Sequence, residues 1–284
     1  MKLGFWAGRE GAEEALVIAP LADQEAEARS RSGLSFLATV AGAEAIARCP
    51  RAAALLPQLA EALAVQKTSE PGKLFDVTDC DGDDLELIGQ VLGQGEVSGL
   101  AALPDNVTAE IQEATVAGLW RVRFFDSARR LAADYLEIAT IPEIVRRAAG
   151  LGAERLAFGA PPPGAMNVMP LLAEINERMS QRSADQPTHV INFSLLPMNE
   201  VDMTFLQQTL GEGSVQLLSR GYGACKVTAT GARNVWSVQF FNASDAIIVD
   251  TLEIGDVPAA ACAAEEDFRD SAERLREIHE AYFT

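Results

Sequence analysis

Two stretches of the chain alternate apolar and polar residues with a period of two. Trp120, Val122 and Phe124 alternate with Arg121 and Arg123, and Trp236, Val238 and Phe240 alternate with Ser237 and Gln239. Successive strand side chains point to opposite faces, so each stretch predicts a half-buried strand. After the turn-rich Phe241-Asn242-Ala243-Ser244-Asp245, the run Ile247-Ile248-Val249 resumes as a strand, which predicts a hairpin. Residues 215–219 and 226–230 extend it as a meander. Elsewhere the period is helical. Leu56, Leu59 and Leu63 mark a helix over 56–65 with Pro57 near its start. Leu85, Ile88, Val91 and Leu92 mark a second helix, opened by Asp83 or Asp84 with Glu86 behind it. Met203, Leu206 and Leu210 mark a third, with Asn199 and Asp202 at its cap, and the last two helices run into Gly93 and Gly211. Short strands are expected at 74–77 and 190–193. From Glu265 onward Phe268, Ala272, Leu275, Ile278 and Tyr282 form one stripe of a terminal helix, which is expected to pack on its own repeat.

These elements recur in order. Trp120-Arg121-Val122-Arg123-Phe124-Phe125-Asp126 returns 116 residues later as Trp236-Ser237-Val238-Gln239-Phe240-Phe241-Asn242, and at the same spacing Asp134-Tyr135-Leu136-Glu137-Ile138 meets Asp250-Thr251-Leu252-Glu253-Ile254. Pro142 meets Pro258, Leu92-Gly93-Gln94-Gly95 meets Leu210-Gly211-Glu212-Gly213, and Pro57-Gln58-Leu59-Ala60-Glu61 meets Pro170-Leu171-Leu172-Ala173-Glu174. The order is kept while the offset drifts only from 113 to 118 residues, which points to a duplicated unit. The expected fold is α+β: a tandem repeat of two similar units, each an antiparallel sheet of about three or four strands with helices packed on one face. The boundary falls at Gly159-Ala160-Pro161-Pro162-Pro163-Gly164, where proline interrupts regular hydrogen bonding. Residues 49–158 are the first repeat and 159–284 the second. Residues 1–48 match neither copy and are read as a partly mobile N-terminal arm, charged over 23–32.

Charge narrows the partners. The 284 residues carry a formal charge of -18, which repels phosphate backbones and disfavours nucleic acid, while a basic peptide would be steered toward the surface. Arg9, Glu10, Glu13 and Glu14 follow the first residues at once, so no secretory leader is expected. No apolar run reaches the length of about 20 residues that spans a bilayer. The expectation is a cytoplasmic protein with reduced thiols and no membrane insertion.

Candidate chemistry is sparse. Cys49, Cys80, Cys225 and Cys262 stand apart, without a CxxC pair. Asp79-Cys80-Asp81-Gly82-Asp83-Asp84 resembles a calcium loop but has Asp84 where the loop needs glycine, so it reads as a solvated helix start. Gly93-Gln94-Gly95 and Gly211-Glu212-Gly213 precede strands and read as turns. The two histidines, His189 and His279, have no HxxxH partner, and neither is read as ligand or base. Asp134 with Glu137, and Asp250 with Glu253, lie three apart in strands and so point to opposite faces. They occur in both copies, as framework residues do. The opposite logic picks out Ser219-Arg220-Gly221-Tyr222-Gly223-Ala224-Cys225-Lys226, which has no counterpart around Leu103-Pro104-Asp105-Asn106. Arg220, Gly221, Tyr222, Gly223 and Cys225 are therefore the candidate partner-binding residues, beside the plainer reading of a tight turn with a buried cysteine. No catalytic residue, cofactor or metal is expected; the alternative is a thiol-based redox or metal/Fe–S delivery protein using Cys225 and Cys262. An unrecognised hydrolase or transferase has no nucleophile–base pair to support it.

A resemblance adds to this. Pro163-Gly164-Ala165-Met166-Asn167, Leu218-Ser219-Arg220-Gly221-Tyr222-Gly223, Arg233-Asn234-Val235-Trp236, Val257-Pro258-Ala259-Ala260-Ala261-Cys262-Ala263-Ala264 and Asp270-Ser271-Ala272-Glu273-Arg274-Leu275 resemble the hydrogenase expression/formation proteins of the HupH/HyaF type. The likeness is strongest from about residue 161 to the end. It implies a non-enzymatic, chaperone-like accessory factor in [NiFe]-hydrogenase maturation. The implied partners are the iron–sulphur small-subunit precursor, held before export by the twin-arginine route, and other maturation proteins. The family supplies no catalytic residue to carry over.

Overall fold

The structure, a computed structural model, describes residues 47–183, 186–221 and 223–283. The expected N-terminal arm lies outside the described residues, apart from its last two positions. Six helices and ten strands follow in chain order: α1 (Pro50–Val65), β1 (Lys73–Asp76), α2 (Gly82–Leu92), β2 (Val97–Ala102), β3 (Thr108–Glu113), β4 (Leu119–Phe125), β5 (Leu131–Ile138), α3 (Glu143–Ala149), α4 (Val168–Gln181), β6 (His189–Asn192), α5 (Glu200–Leu210), β7 (Glu212–Ser219), β8 (Ala224–Thr230), β9 (Val235–Phe241), β10 (Ile247–Ile254) and α6 (Glu265–Phe283).

The chain divides into two compact units. One holds residues 47–98, 105–143 and 262–283; the other holds 99–104 and 144–261. Within the first repeat strands run β1-β5-β4-β3-β2, and every recorded register is antiparallel. In the second the order is β6-β10-β9-β8-β7, again antiparallel. Helix, strand, helix, then four strands is thus the order in both copies, with the same neighbours in each sheet. The expected repeat is present, but each copy contributes five strands rather than the three or four predicted. The additional strand β2 carries Ser98, Gly99, Ala101 and Ala102 in place of bulky alternating residues, and its neighbour β3 offers only Ala109 and Ile111 as apolar positions. Small side chains leave a weak period-two signal.

Each unit packs its helices on one sheet face. In the first, Leu56, Leu59 and Leu63 of α1 and Leu87, Ile88 and Val91 of α2 meet Leu119, Leu136 and Ile138 of the sheet. Phe268, Ala272 and Leu275 of α6 join this core, so the terminal helix serves the unit built on the first repeat rather than its own copy. Burying such side chains contributes about 1.5–3 kcal/mol each before entropy is counted. In the second unit Leu171, Leu172 and Ile175 of α4 and Leu206 and Leu210 of α5 cover Val235, Leu252 and Ile254. The half-buried prediction for β9 is too simple: Trp236, Ser237, Val238 and Gln239 are all buried. Period-two patterning reports polarity, and buried polar residues on a central strand imitate a solvated face.

Shared residues hold the backbone where it is tight. Gly93 and Gly211 end α2 and α5 at φ 60° and 67°, in the left-handed region that favours glycine. A side chain at Gly95 or Gly213 would collide with the carbonyl oxygens of Ala114 and Thr230, respectively. The duplicated Gly-x-Gly is therefore a helix stop followed by a close backbone approach.

Candidate functional site

The predicted contact segment sits at the β7–β8 hairpin. Ser219 faces Cys225 in the ladder, and the turn between them contains Gly223 at φ 112°. The first copy has a hairpin at the same place, β2 to β3, but turns it through Asp105 and Asn106 at φ 61° and 57°. A topological counterpart therefore exists for the sequence that has none. Of the five residues singled out, Arg220 and Gly223 are exposed and Gly221 is half-buried. Tyr222 lies outside the described residues. Cys225 is 3% exposed, on the strand face that carries Val227, Trp236, Val238 and Phe240. Burial, with the Glu253 carboxylate as a smaller cause, pushes its thiol up to about 12. A thiol at that value stays protonated at neutral pH, which removes the thiolate that redox or metal chemistry requires. Burial likewise raises Cys49 and Cys80. Cys262 is half-buried. Among the described residues no group of three His, Cys, Asp or Glu side chains is placed to hold a metal ion.

The paired carboxylates separate as their spacing predicts. Asp134 is fully buried and takes a forked bond from Arg121, with Nη2 to Oδ2 at 2.6 Å and Nε to Oδ1 at 3.0 Å. Glu137 Oε1 accepts the backbone N–H of Glu143 at 2.9 Å, capping α3. In the second copy Gln239 Nε2 donates to Asp250 at 3.4 Å, and burial raises the pKa of Glu253. His189 Nε2 lies 2.8 Å from Glu174 Oε1, and His279 stacks on Phe283. Each therefore has a structural partner.

The acidic start of α2 is a helix cap, but the capping residue is Asp81 rather than the expected Asp83 or Asp84, which lie inside the first turn. Asp81 accepts the N–H of Asp84 at 2.8 Å. The buried Asp84 was not foreseen: its Oδ1 accepts the N–H of Ala52 at 2.9 Å, tying α2 to the first turn of α1. Asp202 repeats this device in stronger form. It closes a capping box with Asn199, while its Oδ1 accepts the N–H groups of Met166, Asn167 and Val168 at 2.8, 3.0 and 3.1 Å. Burial alone would raise the Asp202 carboxyl, yet the N–H groups of Asn167, Met166, Asn199 and Val168 outweigh it and hold the value below the usual range. Asn167 Nδ2 to Pro197 O at 2.7 Å and Asn199 Nδ2 to Gly164 O at 2.9 Å complete the clasp.

That clasp presents apolar side chains outward. Met166 is 76% exposed, Leu195 81% and Leu196 37%. In the sequence Met203 lies on a predicted helix face and Met166 only within a motif of the family resemblance, and the two are not marked as a group. The available signal was the crowding of five of the chain's six methionines, Met166, Met169, Met179, Met198 and Met203, into one stretch of the second copy.

Comparison with known families matches residues 50–151 and 165–282 to the one described as "HupH hydrogenase expression protein, C-terminal conserved region". Along its full length, and along the full length of the relative, the chain is 58% identical to the hydrogenase expression/formation protein HupH of Rhizobium leguminosarum bv. viciae. It is 42% identical to the hydrogenase expression/formation protein HoxQ of Azotobacter vinelandii, covering 82% of each chain. Against the hydrogenase-1 operon protein HyaF of Escherichia coli K12 the identity is 34%, covering 84% of each.

Proposed function

The chain belongs to the hydrogenase expression/formation protein family of the HupH/HyaF type, and from that premise we propose that it is a non-catalytic accessory factor of hydrogenase maturation that holds the iron–sulphur small-subunit precursor before export. The relatives' names support a role in maturation. One contrast carries the finer reading. Residues common to both copies, such as Asp134, Glu137, Trp120 and Trp236, are buried framework, whereas Arg220 and Gly223, particular to the second copy, are exposed at a turn. A duplicated scaffold with one diversified surface suits recognition of a partner. The chain's charge of -18 suits a client whose leader bears arginines. No helix among the described residues is long and apolar enough to cross a membrane, in keeping with a factor that acts before export.

Affinity capture of the full chain from hydrogenase-expressing cells tests the proposal. The small-subunit precursor is expected to co-purify while the mature, leader-free enzyme does not. Arg220→Ala and Tyr222→Ala are expected to reduce capture without altering the chain's thermal midpoint. Raising salt well above physiological strength, where the Debye length is about 8 Å, is expected to weaken it further. Equal capture of mature enzyme and precursor would remove the reading.

A further inference from the structure

We propose that the methionine-rich apolar face of the second repeat, formed by Met166, Leu195 and Leu196, docks the arginine-preceded apolar segment of a client's leader. This rests on the precursor-holding function proposed above and gives it a surface. Exposed Leu195 and Met166 lie in adjoining segments that the fold binds together. Asn167 donates to the carbonyl of Pro197, Asn199 donates to that of Gly164, and Asp202 takes three N–H bonds from the loop. The apolar side chains are therefore held out on a fixed backbone, so little ordering entropy opposes binding. Large apolar side chains held exposed to water on adjoining segments point to an interaction site.

Methionine is the residue expected where a surface must accept apolar segments of varied sequence, because its thioether chain is flexible and polarisable. Between Lys2 and Met166 the first repeat and linker contain no methionine at all. Met169, Met179, Met198 and Met203 pack, partly buried, against the same core.

Charge selects the occupant. Residues 156–177 and 186–219 contain no lysine or arginine, with Arg178 and Arg182 between the two runs, and Glu174, Glu177, Glu200 and Glu212 within them are exposed. An acidic apolar surface favours an apolar peptide with positive charge at its flank. Export leaders have that composition: a positive opening followed by an apolar stretch of about 7–15 residues, with paired arginines in the twin-arginine class.

The test is fluorescence anisotropy of a labelled peptide, two arginines followed by a twelve-residue apolar stretch, titrated with the full chain at low salt. A chain carrying both Met166→Glu and Leu195→Glu is expected to bind at least tenfold more weakly. These positions are exposed, so an unchanged thermal midpoint will show that the fold is intact. Replacing the peptide's arginines by glutamine is expected to weaken binding and remove its salt dependence; replacing its apolar residues by serine is expected to abolish it. Equal affinity of the double variant and the parent chain would overturn the proposal. So would precursor capture without peptide binding, which leaves the holding function standing but assigns it another surface. Failure of the parent chain to capture the precursor would instead remove the function itself. Self-association that the double substitution abolishes, without peptide binding, would make a second copy the occupant and also overturn it.

Discussion

Asp202 Oδ1 accepts the backbone N–H of Met166 at 2.8 Å, and through that bond a buried carboxylate at the start of α5 fixes a loop that ends at α4. Its counterpart Asp84 accepts one such bond, from Ala52, and its second oxygen has no hydrogen-bond partner among the described residues. The two copies thus use one device at different strengths. Removing Asp202 strands several N–H groups, each costing about 1–3 kcal/mol when left unpaired. Asp202→Ala is expected to destabilise by at least 3 kcal/mol, roughly, and Asp84→Ala by clearly less. Urea denaturation of both variants measures the difference; the opposite ranking would contradict the account. Asp202→Asn keeps the acceptor and loses the charge, so a smaller loss is expected.

Arg121 and Asp134 provide a second check. The carboxylate is fully buried, and the guanidinium is about a quarter exposed, under Gly89 of α2. Breaking a pair of this kind leaves a buried charge alone, at about 3–5 kcal/mol. Partial solvation of Arg121 leaves water a route to the stranded carboxylate, so Arg121→Ala is expected to lie at the low end, near 3 kcal/mol. The second copy has Ser237 at the Arg121 position. Restoring an acceptor-compatible neutral pair with Arg121→Ser and Asp134→Asn is expected to recover part of the loss, because no charge is then buried. A double variant no better than Arg121→Ala would refute the electrostatic explanation.

Much of the framework was legible because it was written twice. Trp120 and Trp236 located the central strands, Gly93 and Gly211 the helix stops, and Pro142 and Pro258 the closing segments. What escaped notice had a physical cause in each instance. Strand β2 is built largely from small residues with little periodic contrast, and β3 offers only Ala109 and Ile111 as apolar positions before the buried Glu113. Ser237 and Gln239 look solvated in sequence but are buried. Asp84 and Asp202 read as local caps, since nothing in one dimension shows a carboxylate reaching a helix that begins more than thirty residues earlier. The terminal helix α6 was placed with its own repeat, yet its apolar stripe is completed by α1; periodicity defines a face and not the element that covers it. At the candidate site, Arg220 and Gly223 are at the surface as expected, while Cys225 turned inward with the strand alternation.

The cysteines should differ sharply in reactivity. Cys225 and Cys49 are buried, and Cys80 and Cys262 are half-buried. Iodoacetamide acts on the thiolate, so at pH 8 the half-buried Cys262 is expected to be alkylated first in the folded chain, and Cys80, whose thiol is raised by burial, more slowly. Cys225, with its thiol near 12, is expected to react only after unfolding. Peptide mass spectrometry at successive times reads the order. Early labelling of Cys225 would reopen a thiol-based function.

Glu113 gives the fold a pH dependence near neutrality. Burial raises its pKa from 4.5 to about 7, against the opposing hydrogen bonds of the Gly118 and Val97 backbones and with the added repulsion of Glu96 and Asp267. The native state therefore binds a proton that the unfolded chain has already released. The contribution of Glu113 to stability is fully present below pH 4.5 and is lost as pH rises through about 7. By pH 8 the ionised carboxylate makes the fold less stable by about 3 kcal/mol than the neutral form would. Glu113→Gln retains an acceptor for the Gly118 N–H, now 3.3 Å from the carboxylate, and carries no charge. Relative to the parent chain, this variant is expected to gain stability progressively between pH 5 and pH 8 and to lose the slope that Glu113 imposes. Chemical denaturation at four pH values measures the difference, which cancels the titration of the remaining carboxylates. A constant offset between the two chains across that range would show that Glu113 ionises normally, and that its enclosure by Gly95, Gly118 and the α2–β2 turn admits water.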